Sequence, residues 1–460
     1  MQLKRPAHAL RNRLIAASCT LLGATTARAG DLTSDASPAA DAAPASDAAQ
    51  TVADTALAYY AENNGRVRAI EPIVNLRQDL GDERALSVKL TFDSLSGATP
   101  NGAVPSARAQ TFASPSGHSL TAAPQTYTTA SGQSSVVSSP IYTIAPGQLP
   151  MDPNYHDQRL AASGSYQMPW SSLTRTTYGG DLSYEHDFIS VSGNGALAHD
   201  FNQKNTTLSL GGNYEFDFVR PIGGAPVAGS DYTLFEKQGS HTKHDANIVL
   251  GVTQVMTRRW LSELSLSYDR LNGYLNDPYK ILSIVDGGGN VTGYLYERRP
   301  DHRARSSVYL ENRLALDRAM AGLTLRYMSD DWGIHSETAQ LKLRWSNAER
   351  DRYLEPQLRW YRQTAASFYT PWLSSAGSSY ITAASSDERL GAFHAVTWGL
   401  KYAARFPDDQ GGDGSELSIR AELYRQTPDH RLPGPGALSG LNLYPGLQAL
   451  LVQVEWRFGY

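Results

Sequence analysis

The sequence predicts an all-β protein: a single transmembrane antiparallel β-barrel of about 16 strands with short periplasmic turns and long outer loops. Three observations support this fold class. The C-terminal segment is a strand with one apolar face, the same alternation recurs along the chain, and every long connection falls on the same side of the predicted barrel. A soluble β-propeller, the main competing fold, would show a repeat of about 40 to 50 residues, and none is visible.

The C-terminal strand alternates strictly between two faces. Tyr460, Phe458, Trp456 and every second residue before them are apolar, whereas Arg457 and the residues that alternate with them are polar, charged or glycine. A strand that faces lipid on one side and a lumen on the other has this pattern. The same three aromatic residues look like the C-terminal signal by which outer-membrane proteins reach their insertion machinery. We therefore interpret Trp456, Phe458 and Tyr460 as a candidate assembly signal.

The N-terminus predicts export. Basic residues precede an apolar stretch at 14–24, and Ala27-Arg28-Ala29 forms a small-x-small cleavage site. We expect a signal peptide at 1–29, a disordered Ala/Asp/Ser/Pro tether at 30–54 and an outer-membrane β-barrel at 55–460. Cys19, the only cysteine, lies in the leader, so the mature chain should contain no thiol. The net charge of −4 becomes more negative when the basic leader is removed, which disfavours a nucleic-acid partner.

Sixteen segments alternate between apolar and polar residues as barrel strands do. The predicted strands are 55–62, 66–79, 84–95, 156–168, 174–186, 188–201, 206–218, 243–256, 260–272, 301–316, 320–328, 334–346, 352–366, 388–406, 415–427 and 447–460.

The connections predict the orientation. If the first strand leaves the periplasm, all the inner connections are short, and every long segment is an outer loop: 96–155, 219–242, 273–300, 367–387 and 428–446. The 96–155 segment is far longer than a connection requires, so it either folds into the lumen as a plug or forms a floppy surface loop. Segments 279–285 and 291–297 flank a glycine-rich turn and predict a hairpin that projects outward.

Aromatic residues near the strand ends predict two interfacial girdles. The inner girdle would contain Trp170, Trp260, Trp345 and Trp456, and the outer girdle Tyr59, Tyr60, Tyr184, Trp332, Trp360 and Tyr424.

The polar faces of the strands carry charges of both signs and are expected to line the lumen. The lumen-lining candidates are Lys89, Glu311, Arg313, Arg326, Lys342, Arg344, Glu355, Arg359, Lys401, Arg420, Glu422, Glu455 and Arg457. These residues could form a pore whose field selects solutes, or a ladder of cross-strand ion pairs that rigidifies the wall. No catalytic, cofactor-binding or metal-binding residue is predicted.

The predicted function is a channel or transport pore for small solutes in the outer membrane of a Gram-negative bacterium, in contact with outer-membrane lipid. Two alternatives remain open. The barrel could be a surface scaffold that binds a partner, or an outer-membrane enzyme that acts on lipid, with its residues scattered on the barrel wall.

Several sequence blocks resemble one known family. The most distinctive is Asp-Phe-Asn-Gln-Lys-Asn-Thr-Thr at 200–207, and others are Phe-Asp-Ser-Leu-Ser-Gly-Ala-Thr-Pro-Asn-Gly-Ala at 92–103 and Asp-Asp-Trp-Gly-Ile at 330–334. They are similar to the bacterial exported proteins grouped as domain of unknown function 3570. The resemblance covers most of the chain after residue 54. It implies an exported barrel, brings no activity or cofactor, and suggests a link to envelope redox partners.

Overall fold

A closed barrel of sixteen antiparallel strands forms the body of the protein. The computed structural model describes residues 51–114, 125–128, 134–137, 141–234, 237–375, 381–406, 414–429 and 433–459. The predicted signal peptide, most of the predicted tether and Tyr460 lie outside these residues. Each wall strand pairs with its neighbours along the chain, and the last strand closes the barrel against the first, with Trp456 opposite Thr55. The predicted fold class is confirmed.

The wall strands are interrupted in the chain by short strands that belong to the connections. The wall consists of β1 (Thr51–Glu62), β2 (Arg68–Gly81), β3 (Arg84–Pro100), β8 (Met151–Pro169), β9 (Thr174–Glu185), β10 (Phe188–Phe201), β11 (Thr206–Val219), β14 (His241–Thr257), β15 (Trp260–Gly273), β18 (His302–Ala315), β19 (Ala319–Asp330), β20 (His335–Ser346), β21 (Arg352–Gln363), β23 (Phe393–Phe406), β24 (Ser415–Pro428) and β25 (Leu447–Gly459). The connections contain β4 (Gln110–Ala113), β5 (Gln125–Thr128), β6 (Ser134–Val137), β7 (Ile141–Ile144), β12 (Ala225–Pro226), β13 (Lys237–Gln238), β16 (Ile281–Val285), β17 (Val291–Tyr296) and β22 (Trp372–Ser374).

Helical structure is confined to single turns in the described part of the chain. The 3-10 turns are Asn202–Lys204, Tyr232–Leu234, Glu388–Leu390 and Gly436–Leu438. No helix among the described residues has the length and apolar character needed to cross a membrane.

All sixteen predicted wall strands are present, and the differences lie at their ends. β1 begins at Thr51, inside the predicted tether, and β3 and β8 each extend five residues into the predicted 96–155 segment. The strand predicted at 388–406 begins only at Phe393. The reason is local, because the Asp387 carboxylate accepts a hydrogen bond from the Arg389 backbone N–H and starts a 3-10 turn where the alternation predicted a strand.

The apolar face of the wall is its exposed face. Large apolar side chains from all sixteen wall strands point away from the barrel interior and remain exposed, among them Leu57, Leu266 and Leu423. Seven of the ten predicted girdle residues belong to this exposed surface. The prediction is wrong for Tyr60, Trp332 and Tyr424. Tyr60 and Tyr424 lie on the inner face, and Trp332 is buried, where its indole Nε1 donates to the His302 carbonyl at 2.8 Å.

The two rims of the barrel differ in the length of their connections. At the short rim the connections are 82–83, 170–173, 202–205, 258–259, 316–318, 347–351 and 407–414. At the long rim they include three tight turns at 63–67, 186–187 and 331–334 and five long segments at 101–150, 220–240, 274–301, 364–392 and 429–446. Every long connection therefore lies at one rim, as the sequence predicted.

The distinctive block at 200–207 is a short-rim turn rather than a chemical site. Asp200 is buried beside Arg175, whose guanidinium lies 3.1 Å away, and it accepts the Thr207 hydroxyl at 2.7 Å. Asn202, Gln203 and Lys204 all adopt positive φ angles, a left-handed turn that non-glycine residues rarely form. The conformation of this turn therefore accounts for the residues of the block.

The described residues of the five long connections pack together into one unit, which we call the cap. An apolar cluster joins three of them through Phe112, Tyr142, Tyr232 and Tyr294. A second cluster brings in the 429–446 connection, where Leu438 packs against Val104 and Val285. Folded chain therefore covers the long rim.

Two expectations about these loops are corrected by the cap. Residues 101–114 are mostly buried, so a floppy surface loop does not describe that part of 96–155. Residues 141–150 are half exposed, although Tyr142 and Pro150 are buried, and residues 115–124, 129–133 and 138–140 lie outside the described part. The hairpin of β16 and β17 exists, but it does not project outward. Leu282 and Tyr294 are buried and β16 pairs in parallel with β22, because the hairpin is apolar on both faces.

Candidate functional site

A cavity of about 1100 Å³ lies inside the barrel beneath the cap. Residues from β1, β8, β14, β19 and β24 are among its walls, so it is surrounded by the barrel. The cap supplies the roof, including Asn101, Tyr232, Lys280 and Arg299. Nine basic and nine acidic side chains line the cavity, so its total charge does not favour ions of one sign.

The roof is held by an ion-pair network centred on the buried Asp387. Arg299 donates from Nη2 to Asp387 Oδ2 at 2.8 Å and to Glu297 Oε2 at 3.0 Å. Arg389 binds the same Asp387 carboxylate through Nε at 2.9 Å and reaches Asp277 Oδ2 at 2.6 Å. This network ties the 274–301 connection to the 364–392 connection, which lie far apart in the chain.

The electrostatics of the roof depend on burial. Burial raises the pKa of Glu297 to about 7, although Arg299 acts against the shift. Burial also favours a higher pKa for Asp387, but the charges of Arg389, Lys280 and Arg299 outweigh it and hold that pKa well below its usual range. Asp387 is therefore an anion between cations, and Glu297 is the carboxyl of the roof that gains a proton most easily.

A second contact joins the cap to the wall. Arg66, in the turn after β1, forms an ion pair with Glu388 of the cap and lies 3.0 Å from Glu62 Oε2 through its Nε. Tyr279 of the cap donates its hydroxyl to Asp187, in the turn between β9 and β10. The cap is thus fixed to two separate turns of the long rim.

Arginine side chains gather on one side of the cavity. Arg303 on β18, Arg326 on β19 and Arg359 on β21 all line it and act electrostatically on the Tyr361 hydroxyl. Arg303 is neutralised by Asp330 and stacks on Trp332 with its guanidinium 4.5 Å from the ring centre. Arg326 is exposed to the cavity and forms no ion pair with another described residue.

Carboxylates gather on another side. Asp157 on β8, Glu185 on β9 and Asp187 just after it have oxygen atoms within 4.8 Å of one another, and Glu71 on β2 lines the same cavity. Among the described residues, these first three are the only histidine, cysteine or carboxylate side chains grouped closely enough to share a metal ion.

The inner face nearer the short rim is a ladder of ion pairs. Most of the sequence-predicted lumen residues occur there in pairs: Arg313 with Glu311 at 2.6 Å, Arg344 with Glu355 at 2.6 Å, Lys401 with Glu455 at 3.1 Å, Arg420 with Glu422 at 3.4 Å and Arg457 with Asp54 at 2.5 Å. Lys342 acts electrostatically on Glu355, and Lys89 is an exposed residue between Asn75 and Ser163 of the adjacent strands. Only Arg326 and Arg359 of the predicted set line the large cavity.

Sequence reasoning missed the roof residues. Glu297, Arg299, Asp387 and Arg389 lie in loops, where the two-residue alternation carries no information about direction. The grouping of Asp157 and Glu185 depends on the register between β8 and β9, which becomes visible only when the strands pair.

Comparison with known proteins identifies the family of the chain. A model of proteins of unknown function, DUF3570, matches residues 11–458. The chain belongs to the DUF3570 family. This confirms the resemblance seen in the sequence blocks. No curated protein is significantly similar to this DUF3570 chain in sequence.

Solved structures from Pseudomonas aeruginosa are weakly similar to the chain. OccK2 (OpdF) matches with 8% identity and a TM-score of 0.38 over 89% of this chain and 98% of that protein. OccD3 (OpdP) matches with 8% identity and a TM-score of 0.41 over 90% and 93%. A mutant of the ferric enterobactin receptor PfeA matches with 10% identity and a TM-score of 0.40 over 89% and 60%. At this level the likeness does not extend to function.

Proposed function

We propose that this DUF3570 protein is an outer-membrane channel for small polar solutes, with the cap as its restriction. The observation that carries the proposal is the contrast between the two faces of one closed wall. Outside, large apolar side chains are exposed from all sixteen wall strands; inside, charged side chains surround a cavity of about 1100 Å³. A wall with lipid-compatible side chains outside and water-compatible side chains inside is the construction of an outer-membrane pore.

Exposure of this much apolar surface supports a membrane location. Soluble monomers rarely expose apolar patches above a few hundred Å². The wall presents about fifty exposed large apolar residues, including Trp345 and Trp456 at the short rim, where interfacial aromatic residues are favourable. The short rim would then face the periplasm and the cap the exterior.

The interior supports passage of polar molecules. A separate niche of about 20 Å³ shares Tyr60, Arg359 and Tyr424 with the cavity and is also lined by Glu422, which belongs to the ion-pair ladder below. Contacts with charged side chains can replace the water molecules around an ion or a polar solute. This lining therefore favours a hydrophilic path.

A scaffold is the second candidate, and the ion-pair network of the cap is the observation that favours it. Arg299 and Asp387 fix the roof in a defined shape, and a fixed outer surface suits recognition of a partner. A scaffold would keep the roof closed, whereas a channel must let solute pass it.

Planar-bilayer recording of the purified full-length protein separates the candidates. We expect discrete, steady conductance steps in potassium chloride from protein that shows heat-modifiable mobility, and none from a heat-unfolded sample of the same preparation. Correctly folded protein that inserts without conducting would contradict the channel. Phospholipid hydrolysis by that sample would then indicate the lipid-acting enzyme, and its absence would indicate the scaffold.

A further inference from the structure

Two groups of charged wall residues lie on opposite sides of the cavity. Asp157 and Glu185 lie on the fourth and fifth wall strands, and Arg326 and Arg359 lie on the eleventh and thirteenth. Arg326 and Asp157 are therefore seven strands apart in one direction and nine in the other, which places them on nearly opposite sides of a sixteen-strand ring. All four residues line the same cavity, so a transverse field crosses it from the arginine side to the acidic side.

The backbone register places the two arginines around one intervening strand. Arg326 is opposite Thr338 of β20, and Thr338 is opposite Tyr361 of β21. Arg359 is opposite Gln340, the next inward residue of β20. The backbones that carry Arg326 and Arg359 are two strands apart, roughly 10 Å, and only short or neutral side chains of β20 lie between them.

The surroundings of Arg326 leave its charge available to a solute. Among the groups with the largest electrostatic effect on it are the guanidinium groups of Arg305 and Arg359, which have the same sign. Arg305 is itself matched by Asp269, with Nε 2.8 Å from Oδ1. A guanidinium that is exposed to an enclosed cavity and faces like charges gains from an anion placed beside it.

The chemistry of this side suits a carboxylate. Guanidinium groups bind carboxylates and phosphates through two parallel hydrogen bonds. The acidic side opposite repels a second negative charge, which disfavours a phosphate dianion and favours a monoanion. Tyr361 and Tyr424 supply aromatic surface on the same side of the cavity, and their hydroxyl groups donate to Gln363 and Gln426.

We propose that Arg326 and Arg359, with Tyr361 and Tyr424 beside them, form a binding subsite for the carboxylate of a small organic solute. The subsite deepens the proposed channel and rests on it for the route by which the solute arrives. A solute that also carries an ammonium group, held toward Asp157 and Glu185, would align with the transverse field.

Binding to folded, detergent-solubilised full-length protein tests the subsite independently of conductance. The probes are hexanoate, the neutral hexanamide of the same shape, 6-aminohexanoate and inorganic phosphate, measured by titration calorimetry. We expect hexanoate to bind more tightly than hexanamide and phosphate. Arg326→Gln and Arg359→Gln each remove one guanidinium group. Either variant should bind hexanoate about tenfold more weakly than the wild type, and its affinity for hexanamide should be unchanged.

Arg84→Gln is the matched control, because Arg84 is the first residue of β3 at the short rim and forms an ion pair there with the exposed Asp82. It should bind every probe as the wild type does. Equal affinity for hexanoate and hexanamide, or unchanged hexanoate affinity in both cavity variants, would overturn the subsite. Tighter binding of phosphate than of hexanoate would overturn its assignment to carboxylates.

Bilayer recording then separates this inference from the proposed function. With a conducting channel, hexanoate should interrupt the potassium chloride current more often than hexanamide does, and Arg326→Gln should abolish the difference. If the protein conducts but hexanoate and hexanamide interrupt the current equally often, the subsite is contradicted and the channel proposal stands. If the protein binds carboxylates but does not conduct, the channel proposal is contradicted and the subsite proposal stands.

Discussion

Arg299 Nη2 lies 2.8 Å from Asp387 Oδ2, and both side chains are almost completely buried in the roof of the cavity. The pair joins two connections that are separated by four wall strands along the chain. Buried ion pairs of this kind contribute little net stability over apolar packing, but the loss of one partner is costly, because the other charge remains buried without compensation. The shape of the cap should therefore depend on Asp387 more than on any exposed charge.

Asp387→Asn should loosen the cap and leave the barrel intact. The variant removes the anion that Arg299 and Arg389 share, at a local cost of about 3–5 kcal/mol. We expect faster limited proteolysis within 274–301 and 364–392, with unchanged heat-modifiable mobility of the barrel. The matched control is Asp82→Asn, in a short-rim turn where the carboxylate is exposed. Equal protease resistance of the two variants would show that the network does not hold the cap.

The stability of the cap should fall as the pH rises from mildly acidic to alkaline. Burial raises the pKa of Glu297 to about 7, above the 4.5 of an unperturbed glutamate, so the folded cap binds this proton more tightly than the unfolded chain. The stabilisation is complete below about pH 4.5 and is lost as the pH rises through about 7. The depressed pKa of Asp387 has the opposite effect on stability. Asp387 stabilises the cap above pH 3.8, its ordinary pKa, and this stabilisation is lost on further acidification.

Hydrogen exchange of the 274–301 connection, corrected for the intrinsic pH effect, measures this dependence. The wild type should be better protected at about pH 5.5 than at about pH 8.5. Glu297→Gln cannot ionise, so its protection should be the same at both pH values. If the variant keeps the wild-type difference, another group controls the cap.

Single cysteines should report the orientation of the barrel. Gly287 is exposed at the tip of the cap hairpin with open space around an added Cβ, and Ala348 is exposed at the short rim. A membrane-impermeant thiol reagent should label Gly287→Cys in intact cells and Ala348→Cys only after the outer membrane is opened. The parent chain, expected to lose Cys19 with its leader, is the control. The reverse pattern would invert the orientation.

The C-terminal strand should act in assembly beyond its contribution to the wall. Trp456 is exposed on the lipid side, and Phe458 lies opposite Ala53 at the closing seam. We expect Trp456→Ala combined with Phe458→Ala to lower the amount of assembled protein in cells while refolding into detergent is preserved. Trp345→Ala, an equally exposed tryptophan at the same rim, is the control. A matching loss in the control would indicate a general girdle effect.

The wall was predictable from the sequence because each of its strands has one apolar and one polar face. Leu208 and Leu210, for example, alternate with Ser209 in a pattern that is decided within a few residues. The inward position of Tyr60 was not predictable, because Tyr59 and Tyr60 are adjacent aromatic residues and only the register decides which of them faces lipid.

The cavity was harder to predict than the wall. Arg326 and Arg359 were identified as inward residues, yet so were eleven others that proved to lie outside the cavity. The two arginines differ from the other eleven residues in their position along the barrel axis and in lying beneath the cap. Both features depend on contacts between distant segments, such as that of Phe112 with Tyr294. A pattern of local alternation contains neither quantity.

The central claim is that the barrel encloses an aqueous path and that the cap, rather than the wall, limits it. Pro100 of β3 is opposite Met151 of β8, so a turn of about four residues can replace 101–150 without altering the wall. The deletion also removes Val104 and Phe112 from the apolar clusters of the cap. The most direct measurement is the single-channel conductance of this variant beside that of the wild type. The account predicts a several-fold increase, because the open area grows when the roof is lost. An unchanged conductance in correctly folded, inserted protein would contradict it.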